Sequence, residues 1–529
     1  MNFDVSTLPN DTESLKRIII EQQGHFDKET GILLEQIRHL RDKLFGRKSE
    51  KITADSGVRP VPLFDMPEPE DNELSDAKEE KIDISGHTRK KSGRKPLPED
   101  LPRVDVVHDL PEEKKVCGCG CHLSRIGEEI SEQLDIIPAR IQVIRNIRPK
   151  YACRQCEGVE GSGPTVKIAP VSAQIIPKSM ATAGLLAYVL TAKFVDALPF
   201  YRQEKQFARL GVEMNRATMC NWAMKAVEAC QPLLNLLQEE VVAGPVVQAD
   251  ETTVQVLSEP GRDPTSKSYM WVFRRGDPKK SVLIYQYHPT RAGDVASAFL
   301  RDYKGYVQTD GYSGYDFLDR KQDIRHIGCW AHARRKFMDV IKAQGKNRKK
   351  TGSADVALKY IRDIYRIEKE AKGKELSVEE IYLVRQEQSK PILEQFKQWL
   401  SKRSLQTPPK GLLGKAISYT LKQWDRLVGY VEDGILSPDN NAAENSIRPF
   451  VVGRKNWLFA GTPEGAAASA GLYSLIETAK ANDLEPYSYL RHIFKKLPKA
   501  TTLQDIEALL PWRLDKKKLY LDSLTEVDN

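Results

Sequence analysis

The sequence predicts a multidomain α+β chain: a coiled-coil helix at the N-terminus, a small cysteine-bearing module, a helical region, and an α/β core with a helical insertion. Three observations predict it. An apolar seam of heptad spacing runs through residues 12–46. Five of the eight cysteines crowd between Cys117 and Cys156. From about residue 245, β-branched runs and helical patterns follow in the order three strands, helix, strand, strand. The 529 residues leave room for about three to four domains and a large buried core.

Composition sets the class. With 40% hydrophobic and 29% charged residues, the chain reads as soluble and globular. Lys+Arg 81 against Asp+Glu 73 leaves +8. That excess implies no partner by itself, and it permits nucleic acid if the charge is unevenly placed. No apolar run approaches the roughly 18 residues that cross a membrane. The start, MNFDVSTLPNDTES, carries no secretory pattern, so a cytoplasmic protein without membrane association is expected.

Residues 1–51 hold the predicted helix. Ile19, Phe26, Leu33, Ile37, Leu40 and Leu44 alternate at three and four, with Gln23 and Thr30 at the polar positions of the series. So narrow a seam wants a partner helix, in a coiled coil or on the chain's own body. Gly24 and Gly31 weaken it. Residues 52–103 read as a disordered linker, first acidic and Pro-rich, then basic. Arg89, Lys90, Lys91, Arg94 and Lys95 suit a phosphate backbone, and equally a solvated linker.

Residues 104–165 form a small module. KKVCGCGCHL opens it and KYACRQCEG closes it. Between them, runs 133–137 and 141–147 alternate apolar and polar residues, which predicts an antiparallel pair turning at Pro138–Ala139. Cysteine pairs flanking a short sheet are the usual supply of one structural Zn²⁺. Cys153 and Cys156 make one half-site. Cys117, Cys119 and Cys121 offer three thiols for the other two positions, with His122 as a substitute. The basic run 140–150 lies beside them.

Residues 166–240 read as a helical DNA-binding region. A helical pattern covers 184–206, and a second helix is expected near Asn215 after a turn at Leu210-Gly211-Val212. The pair fits a helix-turn-helix, with Arg216, Thr218 and Asn221 facing outward, or a plain helical hairpin.

Residues 241–460 carry the chemistry. PVVQADETTVQVLS is a strand with a lone acid, Asp250, in its middle. SKSYMWVFRRG and SVLIYQYHP are the next strands, RAGDVASAFLRDY a helix, KGYVQTDGYSGY a fourth strand ending at Asp310, and RHIGCW a fifth. That order is the ribonuclease H-like plan, whose first and fourth strands lie side by side. Two acids so placed repel unless cations sit between them. Two Mg²⁺ ions held by carboxylates activate water or a 3′-hydroxyl on a phosphodiester. Glu444, one turn inside a helix capped by Asp439 or Asn440, is the third carboxylate, and Arg448 shares its face. Residues 333–430 read as a helical insertion that embraces DNA or serves as a spacer. Residues 461–529 read as amphipathic helices packing on the core, with Lys480, Arg491, Lys495 and Lys496 on a basic face.

These motifs, in this order, resemble the IS66 family of bacterial transposases over nearly the whole chain. The resemblance rests on LFGRKSEK, GRKPLPEDLPR, EQLDIIPARIQVIRNIRPKYAC, AKFVDALPFYRQE, QADETTVQV, TDGYSGY, GCWAHARRKF, DNNAAENSIRP and GRKNWLFAGT. It implies a DDE-class enzyme of an insertion sequence, with Asp250, Asp310 and Glu444 as the triad holding two Mg²⁺ (or Mn²⁺) ions. It implies metal-dependent cleavage and strand transfer on terminal inverted repeats and target DNA. It also implies a homodimer or higher oligomer, element-encoded accessory proteins and a nucleoid-associated place in the bacterial cytoplasm. Cys329, Trp330, His332 and Arg335 match a stretch expected in the active-site wall or against DNA. Asn441, Asn445, Arg448 and Lys455 match the block around the third acid. Cys-Gly-Cys-Gly-Cys departs from the two-cysteine start common in the family.

Overall fold

A computed structural model describes residues 11–13, 141–152, 166–275, 280–343 and 352–525. The chain divides into two units, 1–89 and 90–529, and the elements below belong to the second. The helix expected over 12–46 (beyond its first two residues), the linker with Arg89 to Lys95, the run 133–137 and Cys117, Cys119, Cys121, Cys153 and Cys156 lie outside the described residues.

The expected strand over 141–147 does not form. The ladder lies later, where β1 (Lys150–Ala152) pairs antiparallel with β2 (Val166–Ile168). Alternation alone makes no strand, because the N–H and C=O groups need a partner. Val143 and Ile147 are instead exposed.

The helical pattern over 184–206 is broken. Helix α1 (Ala183–Phe194) starts at a Thr182 cap whose hydroxyl accepts from Leu185 N at 3.1 Å. It ends before Ala197, at φ 55, and Pro199, which has no N–H to continue a helix. Helix α2 (Phe200–Arg209) follows. Gly211, at φ 79, makes the turn. Asn215 then caps α3 (Arg216–Ala229), its side chain accepting from Ala217 N at 2.8 Å. Helix α4 (Gln231–Val242) leads into the sheet.

The sheet holds β3 (Val246–Gln255), β4 (Lys267–Arg275), β5 (Leu283–His288), β6 (Gly305–Gln308) and β7 (Ile324–Ile327), with α5 (Gly293–Phe299) between β5 and β6. Their order across the sheet is β5-β4-β3-β6-β7. β3–β4 and β4–β5 are antiparallel, whereas β3–β6 and β6–β7 are parallel. Met270, Trp271, Val272 and Phe273 are all fully buried. A continuous apolar run of this kind belongs to a sheet covered on both faces.

Helices α6 (Trp330–Ala343), α7 (Ser353–Gly373), α8 (Val378–Val384), α9 (Lys390–Ser404), α10 (Leu412–Lys422) and α11 (Trp424–Val428) stand between β7 and the helix of the third acid. They build their own core around Trp330, Phe337, Ile361, Phe396 and Trp424, which Val246 and Ile327 of the sheet join.

Helices α12 (Asn441–Trp457), α13 (Pro463–Ala481), α14 (Pro486–Lys496), α15 (Leu503–Glu507) and α16 (Lys516–Thr525) complete the unit. The expectation of an amphipathic pair fails for α13, which is buried on all sides from Leu472 to Ala479. The reason is edge strand β5. Its outward groups need partners, and α13 supplies hydroxyls: Leu283 N donates to Thr478 Oγ1 (3.0 Å), Thr478 Oγ1 donates to Leu283 O (3.1 Å), and Tyr285 N donates to Ser474 Oγ (2.8 Å). The basic face is also smaller than expected. Arg491 is buried and donates to Asp522 O at 2.9 Å, and Lys480 pairs with Glu477 at 2.8 Å. Thr478→Val keeps the shape and strands two backbone groups of Leu283. We expect it to cost about 1–3 kcal/mol, read from the urea midpoint.

Candidate active site

The parallel register of β3 and β6 places the first two acids. Gln248 pairs with Gln308, an offset of 60 residues. Asp250 and Asp310 each lie two residues past that last pair, near enough for the Asp310 charge to act on Asp250. Residues two apart share a face, and Gln248 Nε2 donates to Gln308 Oε1 at 2.8 Å on that face. Neighbouring strands lie about 4.8 Å apart. Strand β6 stops at Gln308, short of the expected end at Asp310. Asp310 begins a turn instead, its Oδ1 accepting from Tyr312 N at 2.9 Å. A Cβ on Gly311 would fall 2.5 Å from the Tyr419 hydroxyl, so any larger residue there must push that ring aside.

The third acid arrives on α12. Of the two expected caps, Asp439 does the work, its Oδ1 accepting from Asn441 N at 3.1 Å. Asn440 turns away: its Nδ2 donates to Ala249 O at 2.9 Å and its N–H donates to Cys329 Sγ at 3.2 Å. The start of α12 is thereby tied to β3 one residue before Asp250. Glu444 then faces His332 Nδ1 and Arg335 Nη2, each at 3.6 Å. Cys329, His332 and Glu444 each bring one ligand atom within 4.8 Å of the others.

The electrostatics are strained in one direction. Burial, and then the carboxylates of Glu251, Asp310 and Glu444, push Asp250 well above the usual carboxylate range. Burial also raises Glu251, against the pull of Tyr315 and Arg291. Arg291 Nη2 lies 2.5 Å from Glu251, with its guanidinium 3.7 Å from the Tyr312 ring centre. Burial lowers His332. Two buried polar atoms here, Glu444 Oε1 and His332 Nδ1, have no hydrogen-bond partner. Clustered carboxylates with an unsatisfied oxygen are a donor set that suits a hard divalent cation.

Sequence reasoning missed Glu251, Arg291 and the role of Asn440. The doubled acid of ADETT was the available signal for Glu251. Trp330 is corrected: it is fully buried, its indole donates to Leu427 O at 2.8 Å, and it serves the helical core rather than a site wall. Cys329 is buried too. Arg216 and Asn221 are exposed on the first turns of α3, and Thr218 is half-buried. Arg448 is half-buried, and Asn445 and Lys455 are exposed along α12. Among the described residues, no helix is long and apolar enough to cross a membrane.

Comparison with known proteins gives the family. The model of the family described as Transposase IS66 family matches residues 178–468. The zinc-finger binding domain of transposase IS66 matches 114–157, a span holding all five clustered cysteines. The IS66 C-terminal element matches 474–512, and Transposase C of IS166 homeodomain matches 32–106. Uncharacterized protein y4jD of Sinorhizobium fredii is 32% identical over 528 residues, covering 97% of this chain and 98% of its own length. Two others from that organism, y4hP and y4qI, are 30% identical over 504 residues and 33% over 431. They cover 90% and 79% of this chain, and 87% and 77% of their own lengths. With one family model spanning more than half its length and relatives aligned almost end to end, the chain belongs to the IS66 family of insertion-sequence transposases.

Proposed function

We propose that Asp250, Asp310 and Glu444 are a DDE triad that holds two Mg²⁺ (or Mn²⁺) ions, cuts the DNA at the element ends and joins it to a target. The observation that carries this reading is the parallel pairing of β3 with β6 up to Gln248 and Gln308, two residues before Asp250 and Asp310, whose carboxylates act on each other, with α12 tied to Ala249 beside them. The strand order, three antiparallel strands followed by two parallel ones, supports a ribonuclease H-like core. Bound divalent ions would supply Lewis-acid stabilisation of the phosphodiester and lower the pKa of the attacking oxygen. The chain's own part is placement. Asn440 fixes the start of Glu444's helix. His332 and Arg335 flank the Glu444 carboxylate at 3.6 Å. Arg448, one turn on, reaches a phosphate.

In the first step, water adds to phosphorus and the 3′ oxygen leaves with a proton. In the second, that 3′-hydroxyl adds to a target phosphorus, gives up its proton and expels another 3′ oxygen. Arg89, Lys90, Lys91, Arg94, Lys95, Arg216, Asn221, His332, Arg335, Arg448 and Lys455 are the proposed DNA contacts. Pairing two ends in one complex fits a homodimer or higher oligomer through the N-terminal helix, with accessory proteins of the element as further partners.

The test is an inverted-repeat duplex incubated with the protein. We expect nicking and joining with Mg²⁺ or Mn²⁺ and neither in chelator. Equal activity in chelator would sink the reading, and nicking without joining would reduce it to a nuclease. For the module at 104–165, we propose one Zn²⁺ on Cys153, Cys156 and two of Cys117, Cys119 and Cys121. Metal analysis should find about one zinc per chain, lost when Cys153 and Cys156 are replaced.

A further inference from the structure

The far end of α12 carries a feature the triad does not use. Glu444, Arg448, Val452 and Lys455 recur at spacings of four, four and three, a single stripe along α12, and Leu458 and Phe459 follow just past its end. The stripe starts at the third acid, passes half-buried Arg448 and exposed Lys455, and ends on an apolar tip. There Leu458 is 65% exposed, Phe459 43% and Val452 48%.

The backbone at the tip is strained. Leu458 sits at φ 67, ψ -48, and Phe459 N donates to Trp457 O at 2.8 Å. This is the rare γ-turn of positive φ, unfavourable for any side chain but glycine's hydrogen. The turn is clamped on both sides. Leu458 N donates to Arg454 O (2.6 Å), Ala460 N to Gln255 O (2.9 Å) and Leu257 N to Ala460 O (3.0 Å). Trp457 packs against Phe194, and Lys193 lies 5.1 Å from its ring. The tip is a rigid extension of β3, the strand that bears Asp250.

Two routes give its distance from the acids. Along β3, Asp250 to Val256 is six residues at about 3.3 Å each, or about 20 Å. Along α12, Glu444 to Trp457 is thirteen residues at about 1.5 Å each, again about 20 Å. That span is roughly six base pairs of duplex at 3.4 Å.

We propose that the exposed stripe of α12 is a rail for the duplex at the element end, and that Leu458 and Phe459 enter its base stack about six base pairs from the bond being cut. The proposal rests on the triad reading above. The stripe's cations match phosphates, and rigid apolar side chains beside cations are how proteins wedge base steps apart. A tip already held in shape loses no order when it enters the stack, which is what its strain secures.

The test uses full-length Asp250→Asn protein bound to an inverted-repeat duplex with 2-aminopurine placed singly at each of the first ten or so base pairs. We expect one position, near the sixth, to brighten several-fold. Leu458→Gly relieves the positive φ and should melt a few degrees higher, so lost signal there is not unfolding. Leu458→Gly with Phe459→Ser should abolish the brightening while the duplex stays bound within about tenfold. No brightening at any position of a bound duplex, or equal brightening in the double variant, overturns the wedge and leaves the triad standing. A double variant that changes oligomeric state without DNA assigns the tip to a second copy and also overturns it. Failure of the wild type to cut overturns the triad reading instead, and the brightening still decides the wedge.

Discussion

Asp250→Asn protein is expected to bind element-end DNA, lose at least about a thousandfold of nicking and joining, and melt higher than wild type in chelator. The loss follows from removing one of three carboxylates that face one another. An ion-binding site so weakened forfeits several kcal/mol of transition-state stabilisation, and about 4 kcal/mol is already a thousandfold. The gain in stability has its own sign. Burial and three neighbouring acids hold Asp250 above the carboxylate range. In the folded chain it therefore keeps a proton that the unfolded chain has released. Stability from this group is full below the ordinary carboxylate range and falls as pH rises towards the raised native value. Asparagine removes that slope. It also keeps the side-chain hydrogen bond Asp250 accepts, since an amide oxygen can still accept from Glu251 N, now at 2.8 Å. Melting curves in chelator at pH 5 and pH 7.5 check this. Wild type should lose more between the two than Asp250→Asn does. Adding Mg²⁺ should raise the wild-type curve and leave the variant's nearly unmoved. Wild-type cutting rates in the variant would remove Asp250 from the triad.

Much of the core was legible because strands announce themselves locally. PVVQADETTVQV, SKSYMWVFRR and SVLIYQYH are apolar and β-branched, and each became a strand within a few residues of its expected place. The side-by-side placing of β3 and β6, the strands that lead to Asp250 and Asp310, needed only the strand order. Other features depended on partners far away in sequence. Nothing local says that Asn440 will reach Ala249 rather than cap its own helix, or that Thr478 will serve the edge of β5. The alternation over 141–147 looked like a strand and has none to pair with among the described residues. Trp330 sat inside a functional-looking motif, and its indole was needed in a core. Ala197 and Pro199 were a local signal for the break between α1 and α2, overridden in the reading by the apolar periodicity on either side.

Arg385→Met is expected to be the most destabilising single change in the helical insertion, at about 3–5 kcal/mol, and to cost activity beyond that loss. Arg385 lies in a π-turn between α8 and α9 and is 2% exposed. All five of its donors are used. Nε and Nη2 donate to Glu368 at 2.9 and 2.6 Å, Nη1 to Tyr430 O and Asp433 O at 2.8 and 2.7 Å, and Nη2 again to Leu436 O at 2.7 Å. Methionine fills the space, strips Glu368 of its arginine and takes a donor from each of three carbonyls, of which Asp433 O still accepts from Leu436 N at 3.3 Å. Those carbonyls belong to the segment that feeds the third acid. Ser437 O accepts from Gln308 Nε2 at 2.7 Å, Pro438 O from Trp330 N at 3.0 Å, and Asn440 then ties α12 to β3. A pure spacer would lose stability in the variant and cut normally in whatever fraction stayed folded. A scaffold for Glu444 would lose both. Urea unfolding gives the folded fraction, and single-turnover nicking at low temperature gives the rate per folded molecule. We expect that rate to fall tenfold or more, about 1.4 kcal/mol in the barrier. Arg385→Lys should not rescue it, because one ammonium cannot reproduce a planar fork that grips a carboxylate and three carbonyls at once. A normal rate per folded molecule would return the insertion to the role of spacer.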